Sequence, residues 1–395
     1  MKKIVPRQTV KASVMRSINR SAILDIIREN SPISRSYIAN VLNVSLPTVM
    51  RVVDILIEEG LVRHSGTKEA SGGRPRPLLE FNGSAFSVLA VDLSGTKMFG
   101  MVADLSGNIQ HEIHVSEISP DPQTNLERLY QLIEELIKTP RPPHQTIRGI
   151  GIGAPGITNH QEGIVHWAPS LGWRDLPLKQ LLNERFQLPV LVENDVNLAA
   201  LGEFGFGAGR SAQSMVCISV GSGIGAGIVI GGSLHRGYHY AAGEVGYLLP
   251  GVEFLGKSYQ TFGALESLAS STAIAQQANQ LCGTSAEDSL RAEDIFIAVR
   301  NGEKRYQPLI ARMVDYLSLA VAAATTLIDP EMIVLGGSIS EHADLLIPSI
   351  LQRLNGAIPT QPNLIVSSLG TRATIMGAIM LVLNGTMETL VVERH

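Results

Sequence analysis

Cysteine is scarce in this sequence, and long apolar runs are missing from it. The 395 residues include two cysteines, Cys217 and Cys282, which stand far apart and in no CxxC or CxC arrangement. This argues against a disulfide framework and a cysteine zinc site, and it fits a reducing cytoplasm. No stretch of about 20 apolar residues occurs, and none follows Lys2 and Lys3. We therefore expect a cytoplasmic protein with no signal peptide and no membrane insertion.

The charge of the chain is unevenly distributed. The net charge is -4, but residues 1–80 contain 13 Lys and Arg against 7 Asp and Glu. The N-terminal segment is therefore basic and the remainder acidic, which favours a polyanion at one end of the molecule. A solvated surface with uneven charge is the simpler alternative.

The N-terminal segment has the pattern of a winged helix-turn-helix. Apolar residues from Ile23 to Ile27 predict a first helix that ends near Asn30, and a second, short helix is expected from about Ser34 to Leu42. Ser45 is suited to cap a third helix that Gly60 ends. The apolar face of this third helix is formed by Val49, Val52, Val53, Leu56 and Ile57.

The opposite face of the third helix carries the candidate DNA contacts. Ser45, Thr48 and Arg51 are placed to reach phosphates and base edges if this helix enters a major groove. The alternative is a plain three-helix bundle with a solvated polar face. The order of a short second helix, a tight turn and a capped third helix favours DNA reading.

Two short apolar segments after the third helix, at 61–63 and 78–81, are expected to pair as the strands of a wing. The segment between them is rich in glycine and proline and carries Arg74 and Arg76. These two arginines could enter a narrow minor groove. A flexible interdomain linker with incidental charge is the alternative.

The body contains a repeated unit of strand, glycine turn and strand, beginning near Ser87 and again at Met215. This predicts a duplicated α/β body with two lobes and a cleft between them. Glycine turns after strands let backbone N–H groups approach phosphate oxygens. The candidate nucleotide-phosphate residues of the two turns are Asp92, Gly95, Thr96 and Lys97 in the first, and Gly221 and Gly223 in the second. Ordinary hairpin turns are the alternative.

Between the repeats, Asn194 and Asp195 follow a short apolar strand at the start of a helix. There an amide and a carboxylate can bind vicinal hydroxyls, and in an enzyme Asp195 would act as the base for a sugar hydroxyl. Glu244 and Glu266 could complete a ring of hydrogen-bonding groups. The alternatives are helix caps for Asn194 and Asp195 and exposed charges for the two glutamates.

Taken in order, these motifs resemble the ROK family of repressors and sugar kinases, specifically its NagC/XylR-type regulators, over essentially the whole chain. The matching elements are the winged helix-turn-helix, GGRP, DLSGTK, GIGAPG, VEND, GSGIGAG, GEVG and DPEMIVLGGSIS. The resemblance implies an actin-like, ribonuclease-H-type fold for each lobe of a sugar-kinase-like body. It also implies that the sugar is held by Gly156, Asn194, Asp195, Glu244 and Glu266.

The chain departs from this family at its zinc cluster. Members usually have a histidine after GEVG and then a CxCGxxGC motif, and zinc needs four N or S ligands. The corresponding positions hold Tyr247, Lys257, Tyr259 and Ala264. We therefore expect no zinc and no other cofactor, and the sugar contact of the histidine must be lost or supplied by Tyr247.

Together these features predict a sugar-responsive repressor of carbohydrate genes that binds operator DNA as a homodimer or homotetramer. The effector is a sugar or a sugar phosphate. The expected domains are residues 1–82 for DNA reading, 83–205 for the first lobe and 206–395 for the second. The alternative is an ATP-dependent sugar kinase of the same fold, although a kinase does not need the N-terminal 80 residues. A body that no longer binds sugar is a third alternative.

Overall fold

The computed structural model describes residues 12–70, 73–93, 97–115, 118–142, 145–259, 262–283 and 289–392. In this part of the chain the N-terminal helices are α1 (Ala12–Asn30), α2 (Arg35–Leu42) and α3 (Leu46–Glu58). The Ser45 hydroxyl accepts a hydrogen bond from the Thr48 N–H and caps α3. The buried face of α3 is formed by Val49, Val52, Val53 and Leu56. The predicted helix-turn-helix is confirmed.

The wing is longer than the sequence predicted. Strands β1 (Val62–Ala70) and β2 (Gly73–Phe81) pair antiparallel, so both extend into the segment interpreted as an extended arm or a linker. The backbone ladder explains the difference, because Lys68 pairs with Arg76 and Ala70 with Gly73. Bulges between the paired segments keep the ladder irregular.

The first sheet of the body has five strands in the order β10-β6-β3-β4-β5. Its strands are β3 (Phe86–Asp92), β4 (Met98–Asp104), β5 (Ile109–Val115), β6 (Thr146–Ala154) and β10 (Val190–Asn194). Helices α4 (Pro122–Lys138) and α5 (Leu178–Phe186) cover one face. A small sheet of β7 (Ile157–Asn159), β8 (Ile164–Ala168) and β9 (Trp173–Leu176) lies between β6 and α5 in sequence.

The second sheet has the order β13-β12-β11-β14-β15. Its strands are β11 (Ser214–Val220), β12 (Ile224–Ile230), β13 (Ser233–His235), β14 (Met332–Gly336) and β15 (Leu364–Val366). In both sheets the first strand pairs antiparallel with the second and parallel with the fourth. The two sheets therefore share one topology, and the predicted duplication is confirmed.

Among the described residues, five α-helices follow β13 in sequence before the C-terminal one. They are α7 (Glu266–Ala269), α8 (Ser271–Cys282), α9 (Ala292–Arg300), α10 (Gln307–Ile328) and α11 (Ala343–Leu354). Their apolar residues form one core with the second sheet. The segment 304–328 is long enough and apolar enough to cross a membrane, judged by length and composition alone. More than half of its most apolar part, however, is buried inside the protein. This is the behaviour of a core helix.

Helix α6 (Asp195–Phe206) joins the two sheets, and the C-terminal α12 (Ala373–Val392) packs against α6 and the first sheet. On α6, Leu198 packs in the core of the first sheet and Ala200 in the small core on the second. The prediction assigned residues 206–395 to the second lobe, yet Ile375 and Ile379 of α12 pack with the first sheet. Their apolar surface is buried there, because the face of this sheet opposite α4 and α5 would otherwise be open to water.

Candidate functional site

The start of α6 brings three of the predicted sugar residues together. The Asn194 side chain caps α6 by accepting a hydrogen bond from the Asn197 N–H at 2.9 Å. Its Nδ2 donates to the Gly156 carbonyl at 2.8 Å. Asp195 is the first residue of the helix. Asn194 therefore caps the helix, as its alternative interpretation required, and also joins the Gly156 turn to Asp195.

Glu193, which the sequence analysis missed, lies directly behind this group. Its carboxylate is fully buried and accepts hydrogen bonds from the Asn194 N–H and the Asn197 side chain, both at 3.0 Å. Its other oxygen accepts from Arg236 Nε at 2.6 Å. The sequence did contain a signal for Glu193, namely a charged residue within an apolar strand. A carboxylate that is buried in this way needs hydrogen-bonding or charged partners.

Carboxyl groups from both sheets face each other in the cleft. Burial first, and then the charges of Asp92 and Glu244, together raise the pKa of Asp195 to about 8. Burial also raises the pKa of Glu244. Asp92 ends β3 of the first sheet, whereas Glu244 follows β13 of the second. The structure thus places Asp92, Asp195 and Glu244 in one electrostatic cluster.

Glu266 and Tyr247 extend this cluster on the side of the second sheet. Burial first, with a smaller contribution from the charge of Glu244, raises the pKa of Glu266 to about 7. Burial and the two glutamates raise the pKa of the Tyr247 hydroxyl. A Cβ on Gly223 would lie 2.4 Å from Glu266 Oε1, so a side chain at this turn would displace the carboxyl. Groups held in an unfavourable state of charge are typical of functional sites.

A segment from Arg236 to Gly243 crosses from the second sheet to the first. Besides the ion pair of Arg236 with Glu193, the Tyr240 hydroxyl lies 3.5 Å from Gln161 Oε1. The Tyr240 ring also contacts the His160 ring edge-on, with 5.6 Å between the centroids. Tyr240 lines the cleft together with Asn194 and Glu244. No local pattern in the sequence indicates this residue, since its partners are far away in the chain.

The candidate phosphate turns are described only in part. Gly95 and Thr96 lie outside the described residues, and Lys97 is exposed to solvent. Gly221 lies between β11 and β12, and its carbonyl accepts a hydrogen bond from the N–H of Ser271 at the start of α8. Phosphate binding by Asp92, Lys97, Gly221 and Gly223 stays a prediction.

The four positions of the family zinc ligands do not suit a metal. Ala264 is fully buried, and Lys257 Nζ lies 5.2 Å from the Phe254 ring centroid. The Tyr259 hydroxyl lies 3.5 Å from the Phe254 carbonyl. With Tyr247, this set offers one ammonium, two phenols and a methyl group, none of which is a ligand that structural zinc uses. Within the described ranges no group of three or more His, Cys, Asp or Glu side chains could hold a metal ion. The absence of zinc stays a prediction.

The candidate DNA contacts lie at the N-terminal end of α3. Ser45 and Arg51 are exposed and Thr48 is half-buried. The hydroxyls of Ser45 and Thr48 lie 2.8 Å apart. Arg74 and Arg76 are on β2. Five candidate residues therefore belong to the wing and the third helix of the same small unit.

This DNA-reading unit is packed against the body. Its apolar core is continuous with that of the first sheet and α12. Arg28 of α1 donates a hydrogen bond to the Met380 sulfur of α12 at 2.7 Å and lies over the Phe206 ring of α6. The axes of α6 and α12 approach closely, because Cβ atoms on Gly202 and Gly377 would each lie about 2 Å from a carbonyl oxygen of the other helix. Helices α6 and α12 thus connect the cleft to the DNA reader.

Comparison with known proteins gives consistent matches. The model of the ROK family matches residues 88–384, and the model of a winged helix-turn-helix DNA-binding domain matches residues 16–63. A xylose repressor of Caldicellulosiruptor bescii is 30% identical over 95% of this chain and 98% of its own length. A glucokinase of Streptomyces coelicolor is 31% identical over 73% of this chain and 95% of its own length.

A solved structure resembles the whole chain. It is a ROK family transcriptional regulator, described as a homolog of the E. coli Mlc protein, with a TM-score of 0.82 and 28% identity. It covers 96% of this chain, and 98% of its own length is matched. The glucokinase match covers only part of this chain, whereas the repressor and regulator matches include the N-terminal reader.

Proposed function

This chain belongs to the ROK family, and from that premise we propose that it is a sugar-responsive transcriptional repressor of carbohydrate uptake or catabolism genes. The observation that carries the proposal is the packing of the DNA-reading unit onto α12 and α6, the helix that starts at Asp195. One chain therefore joins a DNA reader to a cleft suited to polyols. The full-length match to a xylose repressor supports the same function.

The effector is a sugar or a sugar phosphate, held in the cleft between the sheets. Asn194 and Asp195 bind neighbouring hydroxyls, with Gly156 holding the turn opposite them. Glu244 and Glu266 accept hydrogen bonds from the other side of the ring. Tyr247 takes the position of the family histidine, and its hydroxyl can donate a hydrogen bond as well as accept one.

The DNA contacts are made by α3 and the wing. Ser45, Thr48 and Arg51 face phosphates and base edges in the major groove, and Arg74 and Arg76 of β2 enter the adjacent minor groove. A homodimer or homotetramer in the cytoplasm presents two such readers to a palindromic operator. The basic charge of residues 1–80 supports this assignment.

The sugar signal passes through helices. Closure of the two sheets on a sugar moves α6 relative to the second sheet, because Asp195 starts this helix. The close contact of α6 with α12, and of α12 with Arg28, carries the movement to α1. The operator and the sugar thereby bind preferentially to different conformations of the protein. This is the condition for release of the operator by the sugar.

The test needs an operator and an effector. Duplexes that the full-length protein selects from a random pool supply the operator, and a thermal-shift screen of sugars and sugar phosphates supplies the effector. A sugar at 100 times its dissociation constant should stabilise the protein by roughly 2.7 kcal/mol. We expect this sugar to release the operator without ATP. Asp195→Asn should abolish the release and leave operator binding without sugar nearly intact.

Asp315→Asn is the matched control, because Asp315 is exposed on α10 and pairs with Arg353. It should respond to the sugar as the wild type does. No sugar-dependent release, or equal effects of the two substitutions, would contradict the proposal.

A sugar kinase is the second candidate function, favoured by the glucokinase relative and by the presence of Asp195 as a base. We expect little or no sugar-dependent ATP consumption by the wild type. Turnover of any sugar in the screen, lost in Asp195→Asn, would place the kinase first. The N-terminal reader, which catalysis does not need, is the reason that we place it second.

A further inference from the structure

Two exposed apolar side chains lie at the N-terminal end of the DNA-reading helix. Leu46 is 44% exposed and Met50 is 47% exposed, and neither belongs to the apolar core of the reader. Residues four apart are neighbours on a helix surface, so the two form one apolar stripe. Ser45 precedes the stripe and Arg51 adjoins it. The stripe therefore lies among the candidate DNA contacts.

Folding does not account for this stripe. The buried face of α3 is already complete with Val49, Val52, Val53 and Leu56. A leucine or methionine on the water-facing side gains nothing from the core, whereas polar residues would favour solubility. Single exposed apolar residues are common, but a pair at the end of a helix that enters the groove is placed where base edges are read.

The surroundings of the stripe suit DNA. Residues 1–80 carry an excess of six positive charges. Of the two exposed acidic residues of α3, Asp54 is nearer to the stripe, and it is paired with Arg35 of α2 at 2.9 Å. Its negative charge is thereby balanced, so that the face can approach phosphates. Charge and shape both favour a duplex as the occupant.

We propose that Leu46 and Met50 read thymine by packing against its C5-methyl group in the major groove. The inference rests on the proposed DNA-binding function and adds an apolar component to it. The methyl group is the feature that distinguishes thymine from cytosine at that position of the groove by contact alone. The flexible methionine side chain can follow the methyl group over more than one base step. Arg51 beside it reads a neighbouring base by hydrogen bonds.

Uracil provides the test, because deoxyuridine differs from thymidine only by this methyl group. We would replace each thymine of the selected duplex in turn and measure the dissociation constant of the full-length protein by fluorescence anisotropy. At one or two positions of each half-site we expect binding to weaken about fourfold, since one methyl-sized group is worth about 0.8 kcal/mol. In Met50→Ala or Leu46→Ala the same replacement of thymine by uracil should weaken binding less than twofold.

Ile55→Ala is the matched control. Ile55 is exposed on the same helix, at 38%, but lies further from its N-terminal end. This variant should keep the full preference for thymine over uracil. The inference is overturned if no uracil replacement weakens binding, or if the penalty is equal in the wild type and in both stripe variants. Failure to select any duplex would instead contradict the proposed DNA-binding function.

Discussion

Asp195→Asn should make the unliganded protein more stable, and the gain should depend on pH. In the unfolded chain this carboxyl loses its proton near its ordinary pKa of 3.8, whereas in the folded protein burial raises the pKa to about 8. The stabilising contribution of the protonated carboxyl is therefore fully present below pH 3.8 and is lost as the pH rises to about 8. Asparagine has the same shape without a proton to lose.

The magnitude follows from the two pKa values. The interval from 3.8 to about 8 corresponds to an upper limit of about 6 kcal/mol. Because the Asp195 side chain keeps partial access to water, we expect a gain of about 2–3 kcal/mol for Asp195→Asn at pH 8.5. About 1 kcal/mol of it should remain at pH 4.5, because the carboxyl is already largely ionised in the unfolded chain there but still protonated in the folded protein.

Thermal unfolding at pH 4.5 and pH 8.5 measures this gain. At pH 8.5 the melting temperature of the variant should exceed that of the wild type by about 2–4 °C. Asp315→Asn, at an exposed ion pair, should change by about 1 kcal/mol or less at both pH values. An equal gain at both pH values, or no gain at pH 8.5, would refute the reasoning that the cleft holds Asp195 in an unfavourable state of charge. A more stable variant that has lost its sugar response would show that the site sacrifices stability for binding.

Further predictions concern zinc, DNA and the cleft. Elemental analysis of the purified protein should find no stoichiometric zinc, because the four ligand positions hold Tyr247, Lys257, Tyr259 and Ala264; one zinc per chain would overturn this. Arg51→Ala should weaken operator binding by about 1–3 kcal/mol and reduce sequence preference, or else lower the salt slope by about one if Arg51 contacts only phosphate; unchanged binding to all duplexes would exclude α3 as the reader. Arg236→Gln should destabilise the protein by about 3–5 kcal/mol in urea unfolding, since it leaves the buried Glu193 charge unpaired; a loss below about 1 kcal/mol, as for exposed pairs, would contradict the importance of this contact.

Local features of the sequence were enough to predict the DNA reader and the repeated body. The apolar spacing of α3 and its Ser45 cap involve residues only a few positions apart, and both are as predicted. The motifs also indicated Asn194 and Asp195, because a polar pair after an apolar strand marks the end of that strand. The wing was predicted too short, since the irregular ladder of β1 and β2 depends on pairing across the hairpin rather than on local propensity.

What the sequence by itself determined was the identity and order of the elements and the residue types at the cleft. Only the tertiary structure decided that Arg236 pairs with Glu193, 43 positions away, and that Arg28 contacts Met380, 352 positions away. It also decided the protonation of Asp195, whose pKa depends on burial and on carboxyls contributed by distant segments. The physical reason is range: caps and periodicity act between neighbours in the chain, whereas burial, charge coupling and the packing of α12 arise only when remote segments meet.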